Sequence, residues 1–304
     1  MAYISTTIKV KMETLNRMQA FYRDCLISNP GEYVLFSARS HGVVITAYKS
    51  NNLDAFKVFF VGEHALSEAR LWDKNAKENI AKKTVATHWI NTDQQIGSDE
   101  VGTGDFFGPI VVVATYVTTK DIEEIKLLGV DDSKKLTDDF ILLIGPKIIR
   151  KYRYSLLTVT NEKYNFLTTR GYNMNSIKAM LHNKALSNMQ KKYSLSCSVF
   201  VDQFCLPTTY FRYLKDEKEV VKKITFRTKG ESLFPSVALA SVIARYSFLL
   251  KMAEMGAHFD VKIPFGASGA VDVFAKKLYK KIGAAEFDKL VKKNFKNYRT
   301  LIGE

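Results

Sequence analysis

Two adjacent carboxylates, Asp99 and Glu100, stand where a strand expected at 95–99 runs into the turn Gly102-Thr103-Gly104, with Asp105 and Gly108 just beyond. Acids at the end of a buried strand are costly unless they are paired, hydrogen-bonded or bound to a cation. Glycines beside them allow close approach of another backbone or a ligand. Asp202 repeats the arrangement at the end of the apolar run Ser198-Val199-Phe200-Val201. Glu231 follows Thr228-Lys229-Gly230 and lies just before Pro235, at a helix start that favours an acid in its own right. Together these four carboxylates suggest a magnesium site, because magnesium takes oxygen ligands, keeps several waters and shares itself with substrate phosphates. Two such ions can activate water and stabilise the leaving oxygen of a phosphodiester. The turn is not a dinucleotide fingerprint. Its spacing is G-x-G-x-x-x-G, the acids lie within the turn region, and a strand follows it. Asp105, Asp131 and Asp132 read as turn acids.

The acids need elements to hold them. From about residue 89 the pattern predicts α/β structure. Strands are expected at 95–99, 109–117, 154–160, 198–201 and 220–226, with helices at 140–151, 175–193 and 235–255. Strands alternating with helices imply a central sheet with helical cover. Near the C-terminus, Phe287, Leu290, Val291, Asn294, Phe295 and Tyr298 fall on one helical stripe, which Lys289, Lys292, Lys293, Lys296 and Arg299 avoid. That spacing predicts an amphipathic helix with solvated lysines, or a flank that touches phosphates. His182 and His258 lie off the acid motifs, and His182 is expected to pack on its helix.

Earlier residues read differently. A strand at 4–12, a helix at 15–25, strands at 33–38, 43–48 and 55–61, and a helix at 65–72 make a small α+β unit, and the polar stretch 73–83 is the linker candidate. The expected division is therefore an N-terminal domain over 1–80 and a second domain over 89–304.

Composition narrows the function classes. The 304 residues are 46% hydrophobic and 25% charged, which excludes a wholly disordered chain. Three cysteines without CxxC spacing argue against a disulfide scaffold or a structural zinc module and fit a reducing compartment. The first fifteen residues alternate without a hydrophobic signal region, and the longest apolar runs are too short for a bilayer, so a cytoplasmic protein with no membrane partner is expected. The formal charge is +14. Residues 1–85 hold twelve Lys/Arg and eight Asp/Glu, leaving +10 to the remainder. An excess of this size points to polyanions, nucleic acid first.

Several separated motifs then agree. Asp99 to Pro109, Asp131-Asp132-Ser133-Lys134-Lys135-Leu136-Thr137, Asn161-Glu162-Lys163-Tyr164-Asn165, Leu181-His182-Asn183, Val201-Asp202-Gln203-Phe204 and the run from Ser236 to Arg245 resemble, in this order, the type 2 ribonucleases H. Within that family the chain is more similar to ribonuclease HIII than to HII. Thr103 stands where HII has arginine, Glu231 stands where HII has aspartate, and an extra N-terminal domain is present. The resemblance implies a ribonuclease H-like central sheet with flanking helices, preceded by a domain resembling half of the TATA-box-binding protein that grips the substrate. It implies a magnesium- or manganese-dependent endonuclease that cuts the RNA strand of RNA/DNA hybrids, leaving 5′-phosphate and 3′-hydroxyl ends. Asp99, Glu100, Asp202 and Glu231 would be its metal-binding catalytic carboxylates. Gly102, Thr103 and Gly104 would approach the hybrid's minor groove, where backbone groups sense 2′-hydroxyls. Ser133, Lys134 and Tyr164 would line the substrate channel. Ser241 and Arg245, on the helix after Glu231, read equally as site residues and as packing and surface residues. HII-like incision at single ribonucleotides and hybrid binding without catalysis are the alternatives. Nothing in the sequence calls for an obligate interface, so a monomer is expected.

Overall fold

Eight consecutive residues without a charge, Ile110–Val117, cannot form a strand with one wet face. In the computed structural model this strand is covered on both faces. The structure describes residues 5–27, 34–48, 56–78, 89–130, 136–193 and 196–303. It divides into two compact units, 1–86 and 87–304.

In the first unit, strands β1 (Ser5–Val10), β2 (Val34–Ser40), β3 (Val43–Tyr48) and β4 (Phe56–Val61) form an antiparallel sheet in the order β1-β4-β3-β2. Helices α1 (Met12–Phe21) and α2 (Ala65–Arg70) complete its core, in which Leu15, Met18 and Ala69 join Ile45, Val58 and Phe60. The β2–β3 hairpin turns through His41 and Gly42, both with positive φ, as a two-residue turn that matches strand twist requires. The fully buried Tyr22 donates to Glu68 at 2.8 Å and accepts from Trp72 at 2.9 Å.

The second unit is built on β5 (Gln95–Val101), β6 (Ile110–Val117), β7 (Arg153–Val159), β8 (Ser198–Asp202) and β9 (Thr225–Arg227), in the order β7-β6-β5-β8-β9. β7, β6 and β5 are antiparallel neighbours, whereas β5, β8 and β9 run parallel. Its helices are α3 (Ile122–Leu127), α4 (Asp138–Lys151), α5 (Asn161–Thr169), α6 (Met174–Tyr193), α7 (Pro207–Tyr213), α8 (Gly230–Leu233), α9 (Pro235–His258), α10 (Gly269–Asp288) and α11 (Lys296–Ile302). Side chains of β6 alternate between two cores. Val111, Val113 and Val117 meet α4 and α9, while Ile110, Val112, Ala114 and Tyr116 join α6. Helix α9 is long and apolar enough to cross a bilayer, a length the short-run reading had not credited, but most of it is buried inside this unit.

The start of α9 presses directly on β5. A Cβ on Gly97 would lie 2.3 Å from Ser236 Oγ and 2.4 Å from Val237 N. Ser236 Oγ donates to the buried Gln95 at 2.8 Å, and Thr115 donates to the Ser236 carbonyl at 2.7 Å. The strand bearing Asp99 and Glu100 is thereby fixed to the segment bearing Glu231.

Two expectations need correction. Where a strand is expected at 220–226, the structure has only the short β9, Thr225–Arg227. The Asn183 side chain captures the backbone upstream, donating to the Glu219 carbonyl at 2.7 Å and accepting from Val221 N at 2.9 Å. The C-terminal stripe is not one helix either. Residues 289–295 turn back between α10 and α11, where Val291 bridges Phe107 and Lys292 N donates to the Phe106 carbonyl at 3.0 Å. Phe287, Leu290 and Val291 are buried, and so is Lys292, which the spacing had assigned to solvent.

Candidate metal centre

Because β5 and β8 are parallel with Ser98 opposite Val201, the next residues along, Asp99 and Asp202, end up side by side at the same sheet edge. Binding sites of open α/β sheets form beyond the carboxyl ends of parallel strands. Asp99 is buried at 8% exposure and Asp202 is half-buried. Asp202 Oδ1 accepts from Gly230 N at 2.7 Å, so the same carboxylate holds the start of α8. Lys229, at φ 58°, makes the left-handed turn that leads from β9 into α8 and its buried Glu231.

Burial pushes the Asp99 carboxyl well above the usual carboxylate range, and the charges of Glu100 and Asp202 push it further. Hydrogen bonds from the Glu100 backbone N–H, 2.7 Å from Asp99 Oδ1, and from Ser241 act the other way. Ser241 is therefore part of the site. Arg245 is not, since it forms a bidentate pair with Asp138 at 2.8 and 2.9 Å.

Glu100 turns to α6. Lys178 and His182, one helical turn apart on that helix, reach the same carboxylate. His182 Nε2 is 2.9 Å from Glu100 Oε2, and the Lys178 ammonium contacts Oε1. A carboxylate only accepts, so Nε2 carries the hydrogen and Nδ1 faces Ser98 Oγ at 2.8 Å. Phe204 stacks on the imidazole at 5.2 Å between centroids, and Lys178 Nζ lies 4.1 Å from the Phe204 centroid. Burial works to raise the Glu100 carboxyl, but the hydrogen bond and charge of His182 and the Lys178 ammonium together hold it below the usual range. Sequence reading passed over Lys178 and expected His182 only to pack on its helix. The available signal was their four-residue spacing, which matches Ser98 and Glu100 two apart on one strand face.

The donor chemistry suits a hard divalent cation, being all oxygen and anionic in a buried setting. Among the described residues, no three acidic, histidine or cysteine groups close on a single point, with Glu100 drawn toward α6.

The other expected site residues are distributed unevenly. Gly102, at φ 90°, is buried, and a Cβ there would lie 2.1 Å from the Pro109 carbonyl oxygen, so the fold itself demands glycine. Thr103 is half-buried, and Gly104 is exposed with open space beside it. Asp105 accepts from Gly266 N at 2.6 Å and is a strut of the turn. Below the turn, Lys292 donates to the carbonyls of Asp105 at 2.8 Å and Gly108 at 2.5 Å, and burial pulls its ammonium down to about 7. Tyr164 does not line a channel. Its ring is fully buried in the core with Ile110 and Leu186, because α5 turns that face to the sheet. Ser133 and Lys134, with Asp131 and Asp132, lie outside the described residues.

The raised Asp99 carboxyl has a stability consequence. The preference for the protonated form is fully present below the ordinary Asp range and is lost as pH rises through the raised value. Above the ordinary Asp range the metal-free fold is destabilised, first by holding a proton that the unfolded chain has released and then, beyond the raised value, by burying the charge. Asp99→Asn should therefore raise the melting temperature of the metal-free chain at pH 7 by a few degrees while making it less pH-dependent between pH 4 and 7. An unchanged melting curve would mean that Asp99 is not under this strain.

Residues 96–298 match the family model described as Ribonuclease HII, and residues 5–85 match one described only as a domain of unknown function. Ribonuclease HIII of Bacillus cereus (strain ATCC 14579) is 40% identical, with 96% of each chain covered. Among solved structures, Bst-RNase HIII in complex with Mn²⁺ is 33% identical with a TM-score of 0.68, covering 98% of each chain. The Aquifex aeolicus RNase H3 structure, at 20% identity and a TM-score of 0.55, shares the fold over 95% of this chain and 99% of its own.

Proposed function

Because the chain belongs to the type 2 ribonucleases H, in their ribonuclease HIII branch, we propose that the acids at the ends of β5 and β8, with Glu231 on α8, form the active centre of a divalent-metal-dependent ribonuclease H. The enzyme is an endonuclease that hydrolyses the RNA strand of RNA/DNA hybrids, leaving 5′-phosphate and 3′-hydroxyl ends. The adjacency of Asp99 and Asp202 carries the assignment, since two buried or half-buried carboxylates side by side in a basic chain call for a cation. When bound, the metal supplies charge neutralisation at the scissile phosphate and an activated water. Mg²⁺ and Mn²⁺ both suit oxygen donors, and the manganese complex of the related Bst-RNase HIII supports Mn²⁺ as an ion such a centre accepts.

The protein's own residues set geometry. Asp202 couples the centre to α8 through Gly230 N, so that carboxylate and Glu231 move as one piece. Ser241 steadies Asp99. Thr103 and Gly104 present the accessible part of the turn to the hybrid, and the buried Gly102 sets its shape. The N-terminal domain, over about 1–80, adds grip on the substrate, the chain acts as a monomer, and its three free thiols suit the cytoplasm.

Specificity follows from the turn. With Thr103 in place of an arginine, the chain lacks a long cationic arm at that position for reading a lone RNA–DNA junction. Cleavage should scatter along the RNA strand of a uniform hybrid, and a duplex containing one ribonucleotide should be cut at least tenfold more slowly. Gel analysis of end-labelled substrates tests this. Equal rates on both would favour the HII-like reading.

A further inference from the structure

Lys178 has no part in the hydrolysis described above, and its pairing with Glu100 is unusual. Both groups are nearly buried, with side-chain exposures of 9% and 10%. Buried ion pairs seldom add net stability, whereas breaking one strands a charge. Here the carboxylate is one of the four proposed for the metal. Its second oxygen is also engaged, by His182 at 2.9 Å, and His182 is held in place by Ser98 and by the Phe204 ring. Glu100 thus faces two fixed donors from α6 while its neighbour Asp99 faces Asp202. An ammonium and a divalent cation cannot both bind Glu100 Oε1 closely, because their charges repel at that separation.

We propose that Lys178 is an internal counter-cation that holds Glu100 in the metal-free chain and must leave Oε1 when a divalent metal binds there. Phe204 gives the displaced ammonium a place to stay, since the ring lies 4.1 Å from Nζ and attracts cations at its face. His182 keeps its hydrogen bond and preserves the orientation of Glu100 during the exchange. Lys178 is a positioning residue on this reading. It prevents two adjacent buried carboxylates from facing each other unscreened, and it sets a cost that metal binding has to overcome. The inference rests on the carboxylate metal centre proposed above.

The test uses the full chain without hybrid, so no turnover is involved. Mn²⁺ binding is measured by isothermal titration calorimetry for the wild type, Lys178→Met, Lys178→Gln and Lys178→Arg, each checked for folding by circular dichroism. Removing the competing charge should tighten Mn²⁺ binding by about tenfold in the Met and Gln variants, and Mn²⁺ should raise their melting temperatures more than that of the wild type. The Arg variant keeps a cation and should stay near the wild type. If the Met variant does not fold, the Gln variant decides by the same criterion. A wild type that binds Mn²⁺ alongside folded neutral variants that bind it equally or more weakly would overturn the role of Lys178 and leave the metal centre standing. No Mn²⁺ binding by any of the chains would overturn both.

Discussion

Replacing Asp202 with asparagine should lower the turnover of RNA/DNA hybrid by at least a thousandfold, a barrier increase of about 4 kcal/mol. Hybrid affinity should stay within a few fold of the wild type. Asparagine has nearly the same shape, and its carbonyl oxygen can still accept from Gly230 N, the bond that Asp202 Oδ1 makes at 2.7 Å. What disappears is the negative charge beside Asp99. The fold should survive, because the substitution removes an anion from a cluster already crowded with anions. Single-turnover cleavage at saturating Mg²⁺, together with hybrid binding in its absence, separates the two effects. Near-normal turnover in the folded variant would take Asp202 out of the metal centre.

A comparably large effect is expected from one methyl group at Gly97. In Gly97→Ala the new carbon would meet Ser236 Oγ at 2.3 Å and Val237 N at 2.4 Å, and the second of these is backbone that cannot rotate away. Either the start of α9 lifts from β5 or the strand bends. Overpacking of this kind costs about 3 kcal/mol. For a domain of this size that corresponds to a fall in melting temperature of roughly 6–12 °C. The displacement also strikes the site, since Ser236 is five residues from Glu231 and Gly97 two from Asp99. Gly104→Ala provides the contrast. Its added carbon meets nothing within 4 Å, and stability should stay within about 0.5 kcal/mol. Thermal unfolding of the two variants, followed by circular dichroism, checks both values. Equal melting temperatures would mean that α9 and β5 can separate at little cost.

These residues also mark what could be read before the structure. The strand bearing Asp202 was legible because the apolar run Val199-Phe200-Val201 signals burial on both faces and the acid stands at its end, and the strand bearing Asp99 because it leads straight into a glycine-rich turn. Which strands neighbour each other was not legible. The pairing of β5 with β8 joins residues about a hundred positions apart, and periodicity carries no information on register between distant strands. The same limit hid Lys178 and His182, whose roles depend on which strand face α6 meets. It also hid Lys292, because helical spacing at 287–299 describes one element, whereas the chain there breaks and pairs with Phe106 and Phe107. Tyr164 failed differently, since a tyrosine in a shared motif can serve the core as readily as the substrate, and only packing separates the two.

Lys292 has a further consequence, for the order in which the enzyme becomes competent during synthesis. Its ammonium closes the glycine turn through the carbonyls of Asp105 and Gly108, 187 and 184 residues earlier in the chain. Contacts so distant in sequence form late, after local helices and hairpins are in place. A chain that stops before Val291 can assemble β5, β6 and their acids, but the turn beside those acids has neither the Lys292 ammonium nor the bridge to Val291. Closure of the turn therefore waits on the C-terminal residues folding back beneath it, and a chain truncated before Val291 should cut hybrid more slowly than the full chain in a side-by-side cleavage assay.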